Sequence, residues 1–161
     1  MKYALAFLIL LSACAHKPPA VVPTSELAYP LGTYQHAVRI DIVEPQRQMK
    51  LRGVIQSRED KLTVVGLSTF GTTIFRIEED YKTGEIKKEF YLDVIRQHEE
   101  RFMFFYKLMS QLLKIPKGTT TTDREGARFT LSEPDKNGIA RHIKIEHRRV
   151  ILNIEVTKYE F

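Results

Sequence analysis

The chain has 161 residues with 43% hydrophobic and 28% charged side chains, the profile of one globular domain and not of a disordered chain. Its formal net charge is only +5, with acids and bases interspersed. With no basic stripe interleaved with aromatics, that pattern argues against a nucleic-acid partner.

In chain order, the first element is a short leader. Lys2 supplies a positive start, and residues 4–11 (ALAFLILL) form an apolar run of signal-peptide length. The run is too short to span a bilayer, which needs about 20 residues. Leu11-Ser12-Ala13-Cys14 follows and contains the only cysteine, so no disulfide forms within the chain. This tetrad resembles the bacterial lipobox. The resemblance implies removal of residues 1–13, lipidation of Cys14 with acyl chains such as palmitate, and a firm membrane anchor, since several chains on one cysteine hold where one does not. By the same resemblance, Ala15 points to the outer membrane, facing the periplasm, rather than the inner one. Residues 14–28 hold three prolines without hydrophobic periodicity and are expected to tether a single domain over residues 29–161.

The domain opens with alternation. In residues 33–43, Tyr34, His36, Val38, Ile40 and Ile42 share one face, which predicts a half-buried strand. Residues 47–57 alternate again, with Met49, Leu51, Gly53 and Ile55 together. Residues 62–67, 72–79 and 85–91 predict three further short strands joined by turns, giving an antiparallel meander. Residues 96–114 lack Gly and Pro and bring Phe102, Phe105, Met109 and Leu112 round at helical spacing. Met103, Phe104, Tyr106 and Leu108 widen the apolar arc, so this helix is expected to be covered on more than one side. Residues 117–124 read as a polar loop. Strands over 126–132, 139–147 and 149–159 complete the chain, with Asn137-Gly138 in a turn. The expectation is mostly β (α+β): a curved antiparallel sheet or half-open barrel of about eight strands, covered by one main apolar helix.

The segment LTVVGLSTFGTTIFRI, residues 62–77, resembles the strand, Leu-x-x-x-Gly turn, strand unit of outer-membrane lipoproteins related to the LolA and LolB carriers. The strongest correspondence runs from Tyr34 to Ile77, and the match is to an uncharacterised lipoprotein family of that superfamily. The resemblance implies a half-barrel with a hydrophobic cavity that receives acyl chains. The chain differs from LolB in having no tryptophan.

No catalytic motif is present. No Gly-rich loop precedes a helix, no G-x-S-x-G elbow occurs, and His142 and His147 are an odd number apart on one strand, so they face opposite ways. No catalytic residue, cofactor or metal site is expected. The aromatic and methionine face of the helix reads as core packing that can also line a cavity, because thioethers and rings re-pack around different lipids. The expected cavity lining is Leu51, Ile55, Val64, Ile74, Phe102, Phe105 and Met109. The function expected is a non-catalytic lipoprotein that binds an acyl chain or other lipophilic ligand. The alternative is an accessory lipoprotein with a filled core that docks a protein partner in the envelope.

Overall fold

A computed structural model describes residues 26–43 and 46–161. Cys14, the expected leader and most of the expected tether lie outside the described residues. Among the described residues, nine strands form one antiparallel sheet: β1 (Gly32–Ile42), β2 (Arg47–Ser57), β3 (Lys61–Leu67), β4 (Thr73–Asp80), β5 (Ile86–Phe90), β6 (Thr121–Arg124), β7 (Ala127–Pro134), β8 (Ala140–His147) and β9 (Val150–Glu160). A short helix α1 (Asp93–Arg96) and the longer α2 (Glu99–Leu112) separate β5 from β6.

The strand order is β5-β4-β3-β2-β1-β9-β8-β7-β6. Two meanders therefore meet at the β1–β9 ladder, and the sheet stays open because β5 and β6 lie at opposite edges. The link between those edges has to cross one face, and α2 is that link. A flat sheet of this order would be about 38 Å wide, whereas α2 is about 21 Å long. Yet Lys88 of β5 pairs with Glu99, and Gln111 donates to Glu125 in the β6–β7 turn at 2.8 Å. Both edges reach the helix, so the sheet curves around it.

The strands form where the alternation places them. Along β1, Tyr34, His36 and Ile40 are buried on the helix side while Arg39 is exposed. On β9, Leu152, Ile154 and Val156 are buried. From α2, Phe102, Tyr106, Leu108, Met109 and Leu112 are buried, and Met103, Phe104 and Phe105 are half-buried against the core. The wide apolar arc is thus used. Phe102 meets Phe75 with ring centroids 5.2 Å apart, and Phe104 meets His147 at 4.7 Å, which places α2 against both halves of the sheet.

The structure departs from expectation in three places. β6 falls in the segment expected to be a polar loop, because TTDR offers threonines but no apolar alternation; as a four-residue edge strand it needs only one paired side, and the sheet has nine strands among the described residues rather than about eight. The predicted helix over 96–114 is shorter, with α1 broken from α2 at Gln97 and His98. Pairing also begins earlier than expected, since Ala28 N–H donates to Ile115 at 2.7 Å and Lys117 N–H to Glu26 at 2.6 Å. This fastens the start of the described chain to the end of α2.

The β7–β8 turn is organised by Asp135. Its carboxylate accepts from Tyr159 Oη at 2.7 Å and from the N–H groups of Asn137 at 2.9 Å and Ile139 at 3.1 Å, with Arg141 at 3.6 Å. The Tyr159 hydrogen bond, with the two backbone donors and the Arg141 charge, holds this carboxyl below its ordinary pKa. A depressed carboxylate stabilises the fold above the unfolded value, about 3.9, and that stability is lost as pH falls through the folded value. Asp135→Asn is therefore expected to be less stable than the parent at pH 7, with the gap narrowing below pH 4. Urea unfolding at pH 7 and pH 3 checks this; an unchanged gap refutes it.

Candidate functional site

One rung of the sheet explains the space beneath α2. Cα partners run Val156–His36–Gly53–Gly66–Phe75–Phe90 across β9, β1, β2, β3, β4 and β5. Two adjacent glycines in this row carry no side chains of their own between His36 and Phe75. Neither glycine has left-handed backbone, so their role is spatial.

The two are not equivalent. A Cβ on Gly66 would lie 2.1 Å from the Phe75 ring, so that ring leans directly over Gly66. A Cβ on Gly53 would meet nothing closer than His36 Cβ at 3.8 Å, an ordinary contact.

Phe102, Phe105, Tyr106 and Met109 form the roof, and Leu51, Ile55 and Val64 line the sides, around a cavity of about 50 Å³. Six of the seven expected lining residues therefore surround it: Leu51, Ile55, Val64, Phe102, Phe105 and Met109. Ile74 does not line it. Along β4 it is Phe75 and Ile77 that are buried, and Ile74 is half-buried out of phase with them. The ladder shifts register between Gly66 and Leu67, which sets this parity. An apolar cavity that takes benzene measures about 150 Å³. The present space thus accepts a few methyl-sized groups, and a chain would enter only with α2 displaced.

Two residues with polar side chains line the cavity, and it is their carbon atoms rather than their polar atoms that border the space. Tyr106 donates its hydroxyl hydrogen to Glu79, and burial, aided by that bond, pushes the phenol pKa up. His36 is 3% exposed, and neither Nδ1 nor Nε2 has a hydrogen-bond partner among the described residues. Its ring stacks on Tyr34 with centroids 6.3 Å apart. Desolvation pushes its pKa down to about 4, so the ring is neutral at pH 7.

The expected lining does not include His36, Gly53, Gly66, Phe75 or Tyr106, although the aromatic helix face that carries Tyr106 is read from the sequence as able to line a cavity. The alternation of β1 did place His36 on the apolar face, which was the available signal. The pairing of the two glycines depends on register across three strands.

Elsewhere, Phe70 is 94% exposed at the tip of the β3–β4 hairpin, and Tyr91, Leu92 and Val94 are exposed at the same end of the sheet. On the face away from α2, Arg39, Lys50, Arg52 and Lys144 border a shallow groove with Asn153 and Glu155. His142 lies 3.2 Å from Glu133. No group of three metal-ligating side chains occurs among the described residues.

The fold and site define a mostly β domain whose open sheet holds an apolar cavity under a helix. Comparison of the chain with models of known protein families and with curated proteins gives no match.

Proposed function

We propose that this chain is a membrane-anchored envelope lipoprotein, lipidated at Cys14 and facing the periplasm at the outer membrane. In this reading its domain has a half-barrel related to the LolA and LolB carriers and binds an acyl chain or other lipophilic ligand beneath α2, without catalysis. The observation that carries the reading is the cavity itself. Gly53 leaves room that a side chain would otherwise fill, while the Phe75 ring covers Gly66, and the walls are almost wholly apolar. The lipobox-like tetrad and the carrier-like segment of residues 62–77 support the same direction.

The mechanism is partition. Each methylene moved from water to the cavity gains about 0.8 kcal/mol. Room for a whole chain comes from displacement of α2, whose side-chain ties to the sheet and its turns include Tyr106–Glu79, Lys88–Glu99 and Gln111–Glu125. Met109 lines the cavity, and its methyl group reports on occupancy. In the full chain held in phospholipid nanodiscs with ¹³C-methyl methionine, palmitic acid is expected to shift the Met109 signal saturably. Gly53→Leu, which places a side chain on the open part of the floor, is expected to weaken that response at least tenfold without unfolding the domain. No saturable shift in the parent protein would sink the reading.

The exposed Phe70 end favours a second reading, in which the domain docks a protein partner in the envelope. An unaltered Met109 signal, with partner capture lost in Phe70→Ser, would be its signature.

A further inference from the structure

We propose that the ligand of this cavity is a lipophilic monocarboxylic acid whose carboxyl group sits against the His36 ring while its hydrocarbon body lies against the apolar walls. The inference rests on the ligand-binding reading above and names the ligand's end group.

Buried polar groups in folded proteins are nearly always hydrogen-bonded, so an unpartnered imidazole calls for an explanation. A neutral ring offers one N–H donor and one bare nitrogen acceptor. On His36 neither is engaged by the described residues, and the ring borders the cavity. The Tyr106 phenol, on the other lining residue with a polar side chain, already donates to Glu79. His36 is therefore the cavity residue with unused hydrogen-bonding capacity, and displacement of α2, which a chain needs in order to enter, would give a ligand room to turn to its ring nitrogens.

The charges around it narrow the ligand further. No Lys, Arg, Asp or Glu lines the cavity. The titratable groups facing the ring are the Tyr34 phenol stacked on it, Tyr159 beyond Tyr34, and Tyr106 across the space with Glu79 behind it. β2 and β9 present only Gly53 and Val156 at this rung. A charged headgroup with no counter-ion would be costly here. A carboxyl group avoids that cost, because it arrives with its proton. Either its O–H donates to the bare nitrogen or the proton moves and the imidazolium N–H donates to the carboxylate; the pair carries no net charge in both arrangements. A bond of this charge-assisted kind is about twice as strong as a neutral one. A phosphate or ammonium headgroup would retain a net charge, and an alkane would leave the ring unpaired.

The test uses the full chain in phospholipid nanodiscs and follows the Met109 methyl signal. Octanoic acid, 1-octanol and n-octane share a chain length and differ in the end group. The acid is expected to bind tightest. His36→Leu is expected to weaken the acid about tenfold to a hundredfold, as loss of a charge-assisted hydrogen bond does, and to leave octane unchanged. His36→Gln keeps a donor and an acceptor, and is expected to restore part of the acid's advantage, which guards against a merely misfolded variant. If the alcohol matches the acid in the parent and falls with it in His36→Leu, the carboxyl assignment is overturned. If all three bind alike and His36→Leu changes none, the inference fails and ligand binding stands. If none shifts Met109, both fall.

Discussion

Gly66→Val is expected to destabilise the domain by about 3 kcal/mol or more, at the upper end of overpacking costs. The same change at Gly53, its Cα partner on the next strand, is expected to stay within about 1 kcal/mol of the parent. The difference lies in what each new Cβ meets. At Gly66 it would enter the Phe75 ring, whose nearest ring atom stands 2.1 Å away. That ring cannot swing freely, because Phe90 and Phe102 flank it at centroid distances of 6.5 and 5.2 Å. Its one escape is into the cavity, which would close the space beneath α2. At Gly53 the new atom finds contacts of 3.8 and 3.9 Å, and a β-branched residue suits a strand. Urea midpoints at constant slope measure both changes. Adding Phe75→Leu to Gly66→Val is expected to recover much of the loss, since the two sites share one contact and their effects do not add. Equal midpoints for the two valine variants would show that Phe75 does not pin Gly66.

His36→Leu is expected to act in the opposite direction. Leucine is of similar size and removes two buried nitrogens that lack partners among the described residues. Leaving such groups unpaired costs about 1–3 kcal/mol, and that much stability is expected to be regained at pH 7. The gain grows in acid. His36 has a folded pKa of about 4 against an ordinary 6.5. Between those values the unfolded chain holds a proton that the folded chain does not, so the parent loses stability as pH falls through this window. The loss amounts to about 3 kcal/mol by pH 4, and the leucine variant lacks it. Thermal or urea unfolding at pH 7 and pH 4.5 reads both components. A variant less stable than the parent at both pH values would show that the ring is satisfied.

The strands of this domain are legible because their apolar residues alternate. Tyr34, His36, Val38 and Ile40 on β1, and Val150, Leu152, Ile154 and Val156 on β9, show the period without any knowledge of partners. β6 is not legible, because four polar residues at an edge bury too little to leave a pattern. Most of the cavity lining is legible for the same reason as the strands, since Leu51 and Ile55 lie on the apolar face of β2, and Phe102, Phe105 and Met109 on one arc of α2. Ile74 is the instructive failure. It and Phe75 are adjacent and both apolar, and only the register shift at Gly66 decides which of them turns inward. The glycine floor is hidden more deeply. Gly53 and Gly66 each look like ordinary strand glycines, and their effect appears only when pairing sets them side by side between His36 and Phe75.

The ladder between β1 and β9 joins Thr33 to Glu160 and Ile42 to Val150, at the middle of the sheet. Among the described strands, β1 thus has to wait for β9, the one farthest from it in the chain. Pairings between such distant segments close slowly, because the intervening loop entropy is lost before the contacts form. Until β9 is present, the two meanders have no central seam to join them. The β1–β5 meander pairs only with its own neighbours, so it can form before the seam does, and the seam is then the step that joins the two halves. The same seam makes β9 the clasp between the two meanders.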